Sequence, residues 1–219
     1  MAIAARINQT KHDVFRWRYE LSVPRKLALA LGVAVLTGLL AQARIPIPWS
    51  PVPVTGQTFA VLLAGVLLGR WWGGASLAIY AGLGIAGVPW FAGWSGGLAH
   101  LAGPTGGYVI GFIFAGLFLG HFTDKYVRSR SFLSMLGLML FANFILVYVP
   151  GLLQLGLWLN LVQGAPVTFG GLLAIGALPF IAGDVTKAVL AAAIARGVTP
   201  KTAYNGEADK DRWARWHLP

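Results

Sequence analysis

The chain has 219 residues, 57% of them hydrophobic and only 11% charged, with a mean hydropathy of +0.68. A soluble domain carries about a quarter charged residues, so this composition excludes a globule bathed in water on all sides. The length suits one domain, the absence of cysteine removes disulfides and cysteine metal sites, and the net charge of +10 raises nucleic acid as a partner.

Residues 1–26 are polar and basic, with Arg6, Lys11, Arg16, Arg18, Arg25 and Lys26. The segment is too long and too charged for the leading part of a signal peptide. Phe15, Trp17, Tyr19 and Leu21 alternate with charges, which suits either a stretch lying on a membrane surface or a mobile tail anchored by charge.

Six apolar segments follow, over 27–43, 54–69, 71–88, 106–122, 132–161 and 170–195. Crossing the hydrocarbon core takes about 20 residues. The second and third are short for that, and the fifth is long enough to tilt or bend. Lys and Arg cluster in residues 1–26, at Arg70, at Lys125, Arg128 and Arg130, and from Arg196 through Lys201, Lys210, Arg212 and Arg215. These are alternate sides of a six-span bundle and hold 15 of the 17 basic residues, leaving Arg44 on the other side and Lys187 within a span. Basic residues stay in the cytoplasm, so both termini are expected inside. The charge is therefore a topology signal, and nucleic acid is not expected as a partner. The expected fold is an all-α, polytopic bundle of six helices over 27–196, with basic cytoplasmic segments at 1–26 and 197–219.

On the outer side, residues 45–53 carry Pro46, Pro48, Pro51 and Pro53. Proline fixes φ and cannot donate a ladder bond, which predicts a stiff extended segment. The second outer loop runs from Pro89 through Trp90, Phe91 and Trp94 to Gly103 and Pro104. Both loops could cover a small-molecule pocket, or their aromatics could simply sit at the headgroup level. Within the spans polar residues are few: Gln57, Tyr80, Asn143, Tyr148 and Gln154. Asn143 suits an interhelical hydrogen bond, worth about 0.6 kcal/mol on average; Gln57, close to the outer loop, is a candidate ligand contact. Ala30, Ala34 and Gly38 form a small-residue ridge along the first helix, fit for close contact within the fold or with a partner.

The last segment carries the chemistry. Asp184 and Lys187 are its only acid and base before Arg196. Pro179 suits the opening turn of a helix, on which residues three apart share a face. Charges facing lipid cost about 2.5–3.5 kcal/mol each, so the pair is expected to face a cavity, other helices or a ligand. Nothing resembles a catalytic or metal centre: His12, His100, His121 and His217 lack metal-ligand spacing, and no P-loop sequence occurs. The glycine-rich run over 103–107 lacks a phosphate-binding lysine and reads as a helix opening at Thr105. No inverted repeat of the secondary-transporter kind is apparent.

PVPVTGQT at 51–58, VLLAGVLLG at 61–69, YAGLGIAGVPWFAG at 80–93, Gly96-Gly97, GPTGGYVIG at 103–111 and PFIAGDVTK at 179–187 resemble the BioY family, in the family's order and over about 27–196. BioY proteins are the biotin-binding S components of energy-coupling factor transporters. The resemblance implies six helices in a prokaryotic cytoplasmic membrane, a biotin site near the outer face, and gating by the first and third inter-helix loops. It also implies a transmembrane coupling protein and two ATPase subunits as partners, with Ala30 and Ala34 matching the family's Ala-x-x-x-Ala contact motif. It gives Trp94 no role and leaves both basic ends uncovered. No cofactor is implied. Biotin's ureido N–H groups, carbonyl and carboxylate suit a buried acid and amine, with aromatics covering its apolar ring. Asp184 is expected to accept from a ureido N–H and Lys187 to donate to either end of biotin, with Gln57, Tyr80, Tyr148 and Trp90 completing the site. The alternatives are a subunit or carrier for another vitamin-like molecule, and a membrane protein in which the pair is only structural.

Overall fold

The computed structural model describes residues 2–204 and 206–209; Lys210, Arg212 and Arg215 of the expected C-terminal basic segment lie outside them. Helix α1, Ala2–Glu20, is followed by α2, Val23–Gln42, whose first turn holds Pro24 where a missing N–H costs nothing. Strands β1 (Arg44–Ile47) and β2 (Ser50–Thr55) follow, then α3 (Gln57–Leu68) and α4 (Arg70–Ile85). A single residue joins these two helices. It is Gly69, at φ +82°, a conformation that favours glycine. After the short α5 (Leu98–Leu101) comes α6 (Gly106–Lys125). Helix α7 (Phe132–Phe141) runs through a π-helical stretch, Ala142–Val147, into α8 (Tyr148–Leu161). Helix α9 (Phe169–Gly176) breaks at Ala177, passes a 3₁₀ turn at Leu178–Phe180 and resumes as α10 (Ile181–Val198).

Among the described residues, Val23–Gln42, Gly106–Lys125, Phe132–Leu161 and Phe169–Val198 are long and apolar enough to cross a membrane. Helices α3 and α4, at 12 and 16 residues, are shorter than the roughly 20 a simple span requires. They survive in the centre of the bundle because glycine brings helix backbones into touch. A Cβ on Gly65 of α3 would run into the backbone of Gly116 and Gly120 on α6. One on Gly73 of α4 would stand 2.5 Å from the Gly65 Cα, and one on Gly120 would stand 2.5 Å from the Arg70 Cα. Lipid tails are as apolar as leucine, so close packing of this kind holds helices together in a bilayer better than hydrophobicity can.

Three expectations need correction. The proline-rich outer segment is a β-hairpin, so the fold is mostly helical rather than all-α. Arg44 pairs with Thr55 and Ile45 with Val54, and the register slips between Ile45 and Ile47, at Pro46. A two-stranded ribbon has only edge strands, which tolerate prolines that a central strand would not. Ala30 and Ala34 are fully buried within the chain, on the face of α2 that packs against α3 and α4, so they present no surface to a partner. The exposed small residues of that helix are Ala28 and Gly32, on its opposite side. The last apolar segment is two helices, because Ala177 departs from helical geometry (φ −132°, ψ −59°) and Pro179 starts the next turn.

Residues 1–26 are not a loose tail either. Helix α1 docks on the bundle with Phe15 only 3% exposed.

Gly65→Ala is expected to lower thermal stability in detergent by about 1–3 kcal/mol, the usual cost of overpacking. Gly82→Ala, with nothing within 4 Å of the added Cβ, is expected to be neutral or stabilising by up to about 1 kcal/mol.

Candidate substrate-binding site

The site is built around the first turn of α10. The break at Ala177 makes a new helix N-terminus inside the bundle and puts Asp184 in its opening turn, where the helix dipole favours negative charge. Asp184 is 4% exposed and its two oxygens are met by four donors from its own chain. Lys187 Nζ stands 2.5 Å from Oδ1, and the Thr58 hydroxyl donates to the same oxygen at 3.2 Å. The Asn143 amide and the Tyr148 hydroxyl donate to Oδ2 at 2.9 and 2.5 Å.

The last two converge because of the π-helical stretch between them. In a regular α-helix, residues five apart point about 140° away from each other. An i→i+5 winding brings them onto one face, and π-bulges of this kind occur frequently at functional sites. Asn143 thus makes the interhelical bond expected of it, and its partner is the site's carboxylate.

A second polar line starts from Lys187, which also donates to the Thr55 carbonyl of β2 at 2.8 Å. The Thr55 hydroxyl donates to Gln57 Oε1 at 2.9 Å, and Gln57 Nε2 donates to the Tyr80 hydroxyl at 2.6 Å. The Trp90 indole returns a bond to the Tyr80 carbonyl at 2.9 Å and stacks against the Tyr80 ring at 5.4 Å. The hairpin is also tied to α9 by the Ser50 hydroxyl, which donates to the Ile175 carbonyl. Gln42 holds the far loop, donating to the carbonyls of Trp90 and Phe91 and accepting from the Trp94 backbone.

Between hairpin, loop and helices lies a cavity of about 600 Å³, counting its open mouth. Of the residues expected to contact a ligand, Asp184, Lys187, Gln57 and Tyr148 line it. Tyr80 and Trp90 do not; they stand behind Gln57 and hold it. Five polar lining residues were not singled out as ligand contacts: Thr55, Thr58, His100, Thr105 and Tyr108. His100 is stacked on Phe91 at 4.7 Å, with Nδ1 2.9 Å from Ser95 Oγ and Nε2 3.2 Å from Thr105 Oγ1. Ser95 donates its own proton to the Ala92 carbonyl, so it accepts from Nδ1–H, and Nε2 accepts from Thr105. Burial pushes the His100 pKa down, in keeping with this neutral tautomer. The Tyr108 hydroxyl donates to the Gly176 carbonyl, next to the helix break. For Thr58 and Tyr108 the available signal was a polar residue in the first turn of an apolar helix, α3 and α6.

Apolar helices that cross a membrane several times and enclose a small-molecule cavity at one end define a multi-pass membrane protein with a binding site. A family model described as the BioY family matches residues 9–204, further than the motifs alone reach. The probable biotin transporter BioY of Methanothermobacter thermautotrophicus is 52% identical over 157 residues, which cover 72% of this chain and all of that protein. The biotin transporter BioY of Thermotoga maritima is 35% identical, with 75% of this chain and 92% of that one covered. Among solved structures, the S component for biotin from an ECF-type ABC transporter superposes with a TM-score of 0.70 at 28% identity, covering 80% of this chain and 93% of that one. The chain belongs to the BioY family. Its relatives are transporter components and not enzymes.

If the four donors hold the carboxylate as described, Tyr148→Phe is expected to cost about 1.5–3 kcal/mol, the worth of a hydrogen bond to a charged group. Thr58→Val, which removes the longest of the four bonds, is expected to cost less. The order of midpoints in thermal unfolding of the purified variants checks this.

Proposed function

We propose that the chain is the biotin-binding, substrate-specific subunit of an energy-coupling factor transporter in the cytoplasmic membrane of a prokaryote. The observation that carries this is the buried Asp184–Lys187 pair on the wall of an open-mouthed cavity, in a chain of the BioY family. The bundle crosses the membrane six times, with α3 and α4 counted as the second and third spans, and both termini face the cytoplasm. The hairpin and the loop over 86–105 form the outer cover. A transmembrane coupling protein and two ATPase subunits complete the transporter.

The donor census refines how biotin is read. Asp184 already has four donors, so a ureido N–H takes the place of one of them. Thr58 holds the longest bond, at 3.2 Å, and its hydroxyl can turn to another acceptor. The Lys187 ammonium has three N–H groups and spends two on Asp184 and Thr55. The third is available for the ligand. Tyr148, Tyr108 and Phe112 supply the apolar wall.

Titration of the purified protein with biotin, and separately with other vitamins, is the direct test; saturable binding of another vitamin in place of biotin would refute the substrate. Asp184→Asn combined with Lys187→Met keeps the shape and removes both charges. Either change alone leaves a buried charge unpaired, at a cost of about 3–5 kcal/mol. The double variant is expected to recover much of that stability yet bind biotin roughly 10- to 150-fold more weakly, for the loss of a charged hydrogen bond of about 1.5–3 kcal/mol. Parental affinity in a stable double variant would place the ligand elsewhere.

Orientation has its own measurement. Single cysteines in this cysteine-free chain at Trp49, on the hairpin tip, and at Arg128, both exposed, are expected to react with an impermeant reagent on intact cells at 49 only. The reverse pattern would invert the topology.

A further inference from the structure

The basic end of the molecule holds a second buried polar cluster, far from the cavity's chemistry. Arg18 of α1 reaches over the bundle, donating to the Val66 and Leu67 carbonyls at the end of α3 at 2.9 and 2.8 Å. It also donates to Asp124 at 2.5 Å and to the Tyr204 hydroxyl at 2.6 Å. Phe15 and Tyr19 pack on the Tyr204 ring, and Arg130, paired with Glu207, lies over the same ring at 4.5 Å. Asp124 in turn accepts from the Arg70 backbone at the start of α4. This clasp fixes the roll of α1 about its axis: the face bearing Phe15 and Arg18 is turned inward.

What remains outside then follows from the helical repeat. Ile7, Val14 and Trp17 are 50%, 52% and 52% exposed and lie along one flank. That flank is opposite His12, which meets the C-terminal segment at Thr202. Arg6 stands on one edge of the apolar stripe, beside Asp13, and the half-buried Lys11 on the other, next to Arg18. The same end of the molecule exposes Arg25, Arg70, Lys125, Arg128, Arg196 and Lys201. Of the described acids there, Asp124 and Glu207 are tied into the clasp, Glu20 is paired with Arg16, Asp209 accepts from the Val127 and Arg128 backbone, and Asp13, exposed on α1, accepts from Gln9, so cations outnumber free acids on this face. An apolar flank framed by cations, two residues before a membrane-spanning helix, has the chemistry of a helix lying in a lipid interface.

We infer that α1 is an interfacial anchor for anionic phospholipid. Its Ile7–Val14–Trp17 flank sits at the boundary of headgroups and acyl chains, Arg6 and Lys11 bind lipid phosphates, and the clasp sets the roll that makes this possible. The inference does not depend on which substrate fills the cavity.

The absence of native cysteine allows a clean test on the full chain. Val14→Cys and Gln9→Cys, the latter on the opposite side of α1, carry an environment-sensitive fluorophore in nanodiscs of phosphatidylcholine, with or without phosphatidylglycerol. The expected result is quenching of the Val14 label by acyl-chain quenchers and of the Gln9 label by aqueous iodide, with the Val14 contact strengthened by phosphatidylglycerol and weakened by salt. Arg6→Gln and Lys11→Gln are each expected to shift the seated population about fivefold, the equivalent of about 1 kcal/mol per cation near an anionic surface. Arg18→Gln, which frees the roll, is expected to make the two labels behave alike. Iodide reaching both labels equally in the parent background would overturn the inference. So would a Val14 contact indifferent to phosphatidylglycerol and to both substitutions, which would be apolar seating alone. Protection of Val14 only on addition of a protein partner would make the flank a protein interface instead.

Discussion

A carboxylate buried in a medium that cannot solvate it is the constraint on which the ligand end depends. An unpaired charge there is costly enough to neutralise or unfold its surroundings. Four donors therefore converge on Asp184: Thr58 on α3, Asn143 and Tyr148 across the π-helical stretch, and Lys187 one turn further along α10. Each donor imposes a geometric demand. The π winding aligns Asn143 with Tyr148, and the break at Ala177 places a helix N-terminus under the carboxylate. Irregular backbone at membrane depth is tolerated where it lines a cavity, and both irregularities are found there.

The same residues connect the floor of the cavity to its cover. Lys187 binds Asp184 with one N–H and the hairpin, through the Thr55 carbonyl, with another. Thr55 passes the connection to Gln57, Tyr80 and Trp90, and so to the loop over 86–105. A ligand that takes a donor or acceptor from this network changes bonds on which both covering elements rest. Floor and cover are therefore joined by shared hydrogen bonds, with no need for a contact between ligand and every residue of the cover.

How much of this could be read from the sequence depended on whether one residue or a geometry carried the information. Asp184 and Lys187 were legible because charge in an apolar run is rare and has few tolerable places. Gln57 and Tyr148 were legible for the same reason in weaker form. Tyr80 and Trp90 were polar enough to notice, but only the fold shows that they stand one layer behind. The convergence of Asn143 and Tyr148 could not be foreseen from a 3.6-residue repeat, because it exists only when that repeat is broken. The hairpin was hidden by its prolines, which argue against a strand until both strands turn out to be edges. On α2, Ala30–Ala34 and Ala28–Gly32 are equivalent small-residue pairs in sequence. Only the position of α3 and α4 decides which stripe is inside.

The two ends of the molecule are fastened by different physics, and this decides which of them can move. At the basic end, α3, α4 and α6 touch backbone to backbone through Gly65, Gly73, Gly116 and Gly120, and the Arg18–Asp124 pair caps the elbow at Gly69. Close-packed backbones have no side-chain play to give, so this region responds to force as a unit. At the ligand end the hairpin is tied to the helices by side-chain hydrogen bonds of Ser50, Thr55 and Lys187, and the loop over 86–105 by those of Gln42, Trp90 and Gln154. A hydrogen bond nets only about 0.5–1.5 kcal/mol when water can replace either partner. Such tethers exchange readily at the open mouth of the cavity, whereas the glycine contacts have nothing to exchange with. The hairpin and the loop are thus the elements with exchangeable tethers, while the glycine-packed helices beneath them have none.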